Sequence, residues 1–192
     1  MDFIELIKIY VGLNDAEAAA LREFAELRSY AKNELIFTEG NISNEIYFVT
    51  KGCVRLFYNV DGSDKTAFFY TQGKFICAGE SYTFNLPAIE NYQALEDTEL
   101  IVLSKVAIEE LLAISSRFEV IARIATENEL ITCQKMIASF ITKSAEERYV
   151  DLLNNQGELF QRVPQQYIAS FLGVSPETLS RIKARVFKKK LS

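Results

Sequence analysis

The chain has 192 residues, 49% of them hydrophobic and 24% charged, with a formal net charge of −5, three cysteines and no histidine. That length holds one domain of ordinary size and a small appendage. The lack of histidine removes a His-based catalytic triad, histidine-ligated haem and multi-histidine metal sites, while three cysteines without CxxC spacing are too few for a four-cysteine cluster or zinc site.

Cys53, Cys77 and Cys133 therefore read as small apolar residues, and no cofactor or metal is expected. No run of eighteen apolar residues occurs, and the opening MDFIELIKIYVG carries acids within its apolar pattern, so neither a membrane span nor a signal peptide is expected and the cytoplasm is the expected location.

From Met1 to Arg28 the apolar residues recur with helical period, from Phe3, Ile4, Leu6, Ile7 and Tyr10 through Leu13, Ala16, Ala20, Leu21, Phe24 and Leu27. Asn14 with Glu17 three residues on is a capping-box pattern, so two short helices are expected, broken near Gly12. From Glu34 the pattern changes to short β-branched and aromatic runs: ELIFT, NEIYFVT, CVRLFYN, TAFFYT, KFICAG, NYQAL and TELIVLS. Breaks at Gly40, Gly52, Gly62 and Gly73 divide them, which predicts a compact antiparallel roll or sandwich rather than a parallel sheet. KVAIEELLAI then reads as a helix that closes the roll.

The longest helical candidate runs from Ser116 to Lys143. Ile121, Ile124, Asn128 and Ile131 form a stripe on it, flanked by Val120, Leu130, Met136, Ile137 and Phe140. At ~1.5 Å per residue it spans roughly 40 Å, too long for the roll to cover, so a second copy of the helix is the expected partner, with Asn128 as the polar residue that fixes register. The plainer alternative is a helix packed only on its own domain. Beyond it, SAEERYVDLLNNQGELF predicts a capped helix with Tyr149, Leu152 and Leu153 inward. The expected divisions are residues 1–116 for the roll with its flanking helices, 117–143 for the dimerisation helix and 144–192 for a terminal unit.

That unit ends in VPQQYIASFLGVSPETLSRIKARVFKKK. Pro164 suits a first turn, Ile168, Ala169 and Leu172 share one face, Gly173 suits a left-handed exit, and Ser175 and Pro176 start a second helix. Leu179, Ile182 and Val186 make its inward stripe, leaving a polar and basic face with no acid from Arg181 to Lys190. The spacing is that of a helix-turn-helix, whose second helix reads base edges from its N-terminal turns while later lysines meet phosphates. The expected DNA-facing residues are Gln165, Gln166, Ser175, Glu177, Thr178, Ser180, Arg181, Lys183, Arg185, Lys188, Lys189 and Lys190. An ordinary helical hairpin with a solvated basic face, and a Glu177–Arg181 ion pair along the helix, are the plain alternatives. No enzyme is expected: Glu80, Glu90 and Asp97 offer carboxylates but no activated nucleophile accompanies them.

Helix, β-roll, long helix and helix-turn-helix in this order resemble the cyclic-AMP receptor protein and Fnr (Crp/Fnr) family of bacterial transcription regulators over nearly the whole chain. The most specific carriers are IASFLGVSPETLSRIK and EGNISNEIYFVTKGCVRLF, where Gly40, Gly52 and Val54 match the glycine-turn pattern of the cyclic-nucleotide-binding fold. The resemblance implies an α+β chain with a jelly-roll sensor, a homodimer, double-stranded DNA and RNA polymerase as partners, no membrane, and a small-molecule effector in the roll. Glu177, Ser180 and Arg181 look like the Glu-x-x-Ser-Arg reading head of the Fnr branch, which implies Arg181 forking to a guanine and Glu177 accepting from a base amino group.

Two departures follow from the same resemblance. Gly79 and Glu80 match a Gly-Glu that contacts the ribose, but the Arg-Ser pair that clamps the cyclic phosphate falls on Glu90 and Asn91, and a carboxylate repels phosphate. Classical cyclic-AMP binding is therefore not expected, and the effector is another small ligand, a protein contact or none. Nor is the full β-hairpin wing expected after the second helix. The implied mechanism is a two-state rotation of the heads about the long helix that sets the recognition helices ~34 Å apart. A reading from another class makes the roll a sensor or docking module and the terminal helices an assembly device.

Overall fold

Residues 3–191 are described in a computed structural model, without the side chains of Leu6, Tyr10, Lys189, Lys190 and Leu191. The phosphate contacts expected of Lys189 and Lys190 thus lie outside the described residues. Helices α1 (Phe3–Val11) and α2 (Asp15–Phe24) break at Gly12, whose φ of 66° is the left-handed conformation that glycine adopts without penalty. The capping box forms as expected: Asn14 Oδ1 accepts from Glu17 N at 2.9 Å and Glu17 Oε2 from Asn14 N at 2.7 Å. Phe3, Ile4, Ile7, Leu13, Ala18 and Leu21 pack against Phe48, Leu103, Leu111 and Phe118, so these helices close one side of the roll.

The helical pattern does not continue to Arg28. Ala25 turns extended (φ −81°, ψ 116°), and Glu26–Tyr30 forms β1, paired antiparallel with β8 (Thr98–Ser104) from Glu26 opposite Val102 to Tyr30 opposite Thr98. Pairing to the free edge of β8 satisfies five residues' worth of backbone groups at once, which outweighs the weak periodicity that had placed Leu27 on a helix. Leu27 is instead exposed.

The remaining strands fall on the expected runs: β2 (Leu35–Phe37), β3 (Glu45–Lys51), β4 (Val54–Val60), β5 (Ser63–Tyr70), β6 (Phe75–Ile76) and β7 (Asn91–Ala94). They build two antiparallel four-stranded sheets, ordered β1-β8-β3-β6 and β2-β7-β4-β5. Tyr47, Val49, Val54, Leu56, Tyr92, Leu100 and Val102 alternate inward from both sheets into one core, as a period of two requires. Gly52 turns β3 into β4 at φ 99°, with Thr98 Cα only 2.7 Å from where a β-carbon would stand. Helix α3 (Gly79–Phe84) bridges β6 and β7, and α4 (Lys105–Ile114), capped by Ser104, follows β8.

Helix α5 (Arg117–Thr142) is 26 residues long, and only Phe118 in it is buried. Tyr70 Oη donates to Glu129 Oε1 at 3.0 Å, tying its middle to the roll. Helix α6 (Ala145–Asn155) carries a second capping box, Ser144 with Glu147, and is followed by the short α7 (Leu159–Arg162), which the sequence pattern does not announce. Helices α8 (Gln165–Phe171) and α9 (Pro176–Leu191) end the chain. Tyr149, Leu152, Leu159, Val163, Ile168, Leu172, Leu179, Ile182 and Val186 form their core, joined by Cys53 and Leu95 from the roll. Among the described residues no helix is long and apolar enough to cross a membrane.

Candidate nucleic-acid interface

Ile168 and Ala169 are fully buried on α8 and face Leu179 and Ile182, each 1% exposed, on α9. Ile168, Leu179 and Ile182 each contribute ~1.5–3 kcal/mol on burial, and the small Ala169 lets the two helices approach closely. A Schellman closure makes the turn. Val174 N donates to Ala169 O and Gly173 N to Ser170 O, both at 3.0 Å, with Gly173 left-handed at φ 69°. Ser175 Oγ accepts from Thr178 N at 3.2 Å and Pro176 takes the first helical position.

On the opposite face Glu177, Ser180 and Arg181 are exposed, Thr178 is half-buried, and Gln165, Gln166, Ser175, Arg185 and Lys188 also face solvent. Lys183 is half-buried. Arg181 Nη2 donates to Thr178 Oγ1 at 3.0 Å. The Glu177 carboxyl is held below its usual range, first by the Ser175 hydroxyl and then by backbone, with Arg181 a minor cause. Arg185 leans to Glu146 of α6 at 3.3 Å. A shallow depression of about 510 Å³ is lined by Thr178, Arg181, Ala184 and Arg185.

Three arginines that local sequence pattern does not mark hold this unit in place. Arg148 donates to Lys143 O at 2.7 Å and Leu172 O at 2.8 Å while its guanidinium lies 4.5 Å from the Phe140 ring, joining α5, α6 and the end of α8. Arg162 donates to Gly52 O at 2.7 Å and pairs with Glu96. Arg55 of β4 reaches Tyr167 of α8. Apart from Lys143 and Phe140 beside Arg148, their partners lie far away in the chain, so only the fold brings them together.

In the roll, Gly79 and Glu80 are exposed at the start of α3. Asn91 is buried and committed: its Oδ1 accepts from Glu39 N at 3.0 Å and its Nδ2 donates to Glu39 Oε2 at 3.1 Å. Glu90 is half-buried, and its carboxylate accepts from Ile89 N at 3.1 Å. Burial first, then the Glu90 charge, pushes the Cys77 thiol up to about 12 and raises the phenols of Tyr58 and Tyr92. Along α5, Ile121 and Ile124 are half-buried while Asn128 and Ile131 are exposed.

The profile of the family described as cyclic nucleotide-binding domain matches residues 27–115. No curated protein matches the sequence. Among solved structures, FixK2 from Bradyrhizobium japonicum is 21% identical, with 86% of each chain covered and a TM-score of 0.72. CLP from Xanthomonas campestris, described as a c-di-GMP-responsive global regulator, is 16% identical over 93% of this chain and 94% of its own, at a TM-score of 0.74. A CooA variant from Carboxydothermus hydrogenoformans is 18% identical over 94% of this chain and 83% of its own, at 0.70. Residues 27–115 thus match the cyclic nucleotide-binding domain family, and the fold of the chain is similar to those of FixK2, CLP and CooA.

Proposed function

We propose that the chain is a homodimeric, sequence-specific DNA-binding regulator. Residues 1–116 serve as the sensor, 117–143 as the dimerisation helix and 144–192 as the reading head. In this reading α8 and α9 are a helix-turn-helix: α9 enters the major groove, Glu177, Ser180 and Arg181 read base edges, and Lys188 with the polar start of α8 meets phosphates. The observation that carries it is the division of α9 into a face buried to within a few per cent at Leu179 and Ile182 and a face that leaves the Glu177, Ser180 and Arg181 trio in solvent.

The sensor works without a cyclic phosphate clamp. Glu90 sits where the resemblance calls for the clamping arginine, and Asn91 is spent on Glu39 rather than free for a ligand. Any effector of the roll is thus of a class other than cyclic AMP.

Selection of duplexes from genomic fragments at rising salt tests the reading. Salt-resistant retention of one fragment supports regulation, whereas uniform, salt-labile retention favours a docking module whose terminal helices serve assembly. Arg181→Ala costs ~1–3 kcal/mol at one base pair and relaxes specificity there, while Lys188→Ala weakens every sequence and lowers the salt slope by about 1. Equal losses on selected and random DNA for Arg181→Ala would remove the base-reading role.

A further inference from the structure

We propose that Arg55, a residue of the roll, is a positioning residue for the reading head: it clamps α8 to the β4–β5 hairpin of its own subunit and so fixes where α9 stands. The inference rests on the DNA-reading proposal above.

Arg55 is 3% exposed, although arginine is almost never buried unless it is paired. Each of its three nitrogens has a partner. Its Nε donates to Gln93 Oε1 at 2.8 Å and its Nη2 to Asp64 Oδ2 at 2.5 Å, with Thr66 Oγ1 3.4 Å from Nη1. Gln93 of β7 and Phe69 of β5 stand directly opposite it in the ladder, so the guanidinium lies over the middle of the sheet. Its Cζ lies over two rings, Phe57 of the same strand at 4.1 Å and Tyr167 of α8 at 3.7 Å. Only a flat, forked cation can donate to Gln93, Thr66 and Asp64 from separate nitrogens while lying over two rings, so lysine is no substitute.

The contacts around it also run from roll to head. Thr66 N donates to Ser170 Oγ at 2.9 Å, and the Phe69 and Phe171 rings lie 5.2 Å apart. Arg162 adds a second tie to Gly52 and Glu96. The head is therefore gripped by the sheet as well as by the end of α5.

The grip does not cover the reading face, since Glu177, Ser180 and Arg181 remain exposed with α8 docked. Its effect is to hold orientation rather than to occlude. In a dimer, two heads fixed to their own rolls stand at one separation, so engaging the second half-site costs little additional ordering. A freed head reads a single half-site as well as before but no longer measures the distance to the next.

The test uses the full-length protein, with Arg55→Met on the roll side and Tyr167→Leu on the head side, so that a folding failure of one leaves the other. A fluorophore pair on Asp61 and Asn154 reports the roll-to-head distance without DNA. A duplex selected from a random pool by the unaltered protein is then rebuilt as a single half-site and as pairs at varied spacing. Both variants are expected to broaden the distance distribution, to bind a single half-site within about twofold of the unaltered protein, and to lose roughly tenfold or more on the paired site with a flattened spacing preference. Arg55→Lys should not restore that preference. Unchanged distances and an unchanged spacing preference in both variants would overturn the clamp. If the unaltered protein selects no duplex, the DNA-reading proposal falls, and the distance measurement alone decides whether Arg55 holds the head.

Discussion

A β-carbon on Gly173 would stand 3.1 Å from Cε1 of Phe140, closer than side chains normally approach, so the last turns of α5 and the turn between α8 and α9 meet at one point. The backbone there is left-handed, at φ 69°. Gly173→Ala therefore meets two penalties, and a loss of about 1–2 kcal/mol is expected from the conformation alone. Urea unfolding measures it. Gly79→Ala, where a β-carbon meets nothing within 4 Å, should stay within about 0.5 kcal/mol and serves as the control.

Acid stability should report on Glu17. Its carboxyl is lowered from 4.5 to about 2, first by the Ser115 hydroxyl, then by the Asn14 backbone and Arg117. A lowered folded-state value means the carboxylate stabilises the fold above about 4.5, and that this contribution is lost as the pH falls toward 2. Glu17→Gln should flatten the fall in urea midpoint across that window. An unchanged slope would mean that other carboxylates govern acid unfolding.

The outer half of α5 bears Leu130, Ile131, Ile137 and Ile141, all exposed in a single chain. Exposed apolar side chains along a long helix suit the association proposed above. Ile131→Glu is expected to shift sedimentation from two chains to one, while Thr132→Glu, at the exposed polar position beside it, should not. A protein that sediments as one chain before any substitution would remove the proposed dimer.

Cyclic AMP should leave the melting temperature unchanged, because a ligand must bind the folded form preferentially to raise it and Glu90 opposes the phosphate. Glu90→Arg tests the cause: a rise that appears only in this variant assigns the defect to that one charge. A rise with the unaltered protein would overturn the reading of the roll.

Much of this molecule was legible locally. The α8–α9 turn announces itself through Pro164, Gly173, Ser175 and Pro176, each of which acts on its nearest neighbours, and the roll through glycines that punctuate alternating runs. What escaped depends on distance along the chain. Strand β1 became a strand because β8 offers it an edge some seventy residues away, which no window over ELRSY can reveal. Spacing places Asn91 where the family has a clamping serine, but its actual partner, Glu39, lies four strands and a helix earlier in the chain. Arg55 looked like one more charge in an alternating strand until α8 supplied Tyr167.

Cys53 and Leu95, fully or nearly fully buried, belong by position to the roll and by packing to the core of the terminal helices. Cutting the chain before Ser144 would therefore expose apolar surface on both pieces and leave Arg162 without Glu96 and the Gly52 carbonyl. Swapping this head onto a foreign sensor would transplant half of an interface, and such a chimera should melt earlier than either parent. The roll and the terminal helices share one packed seam through Cys53 and Leu95, so neither keeps its full core once the other is taken away.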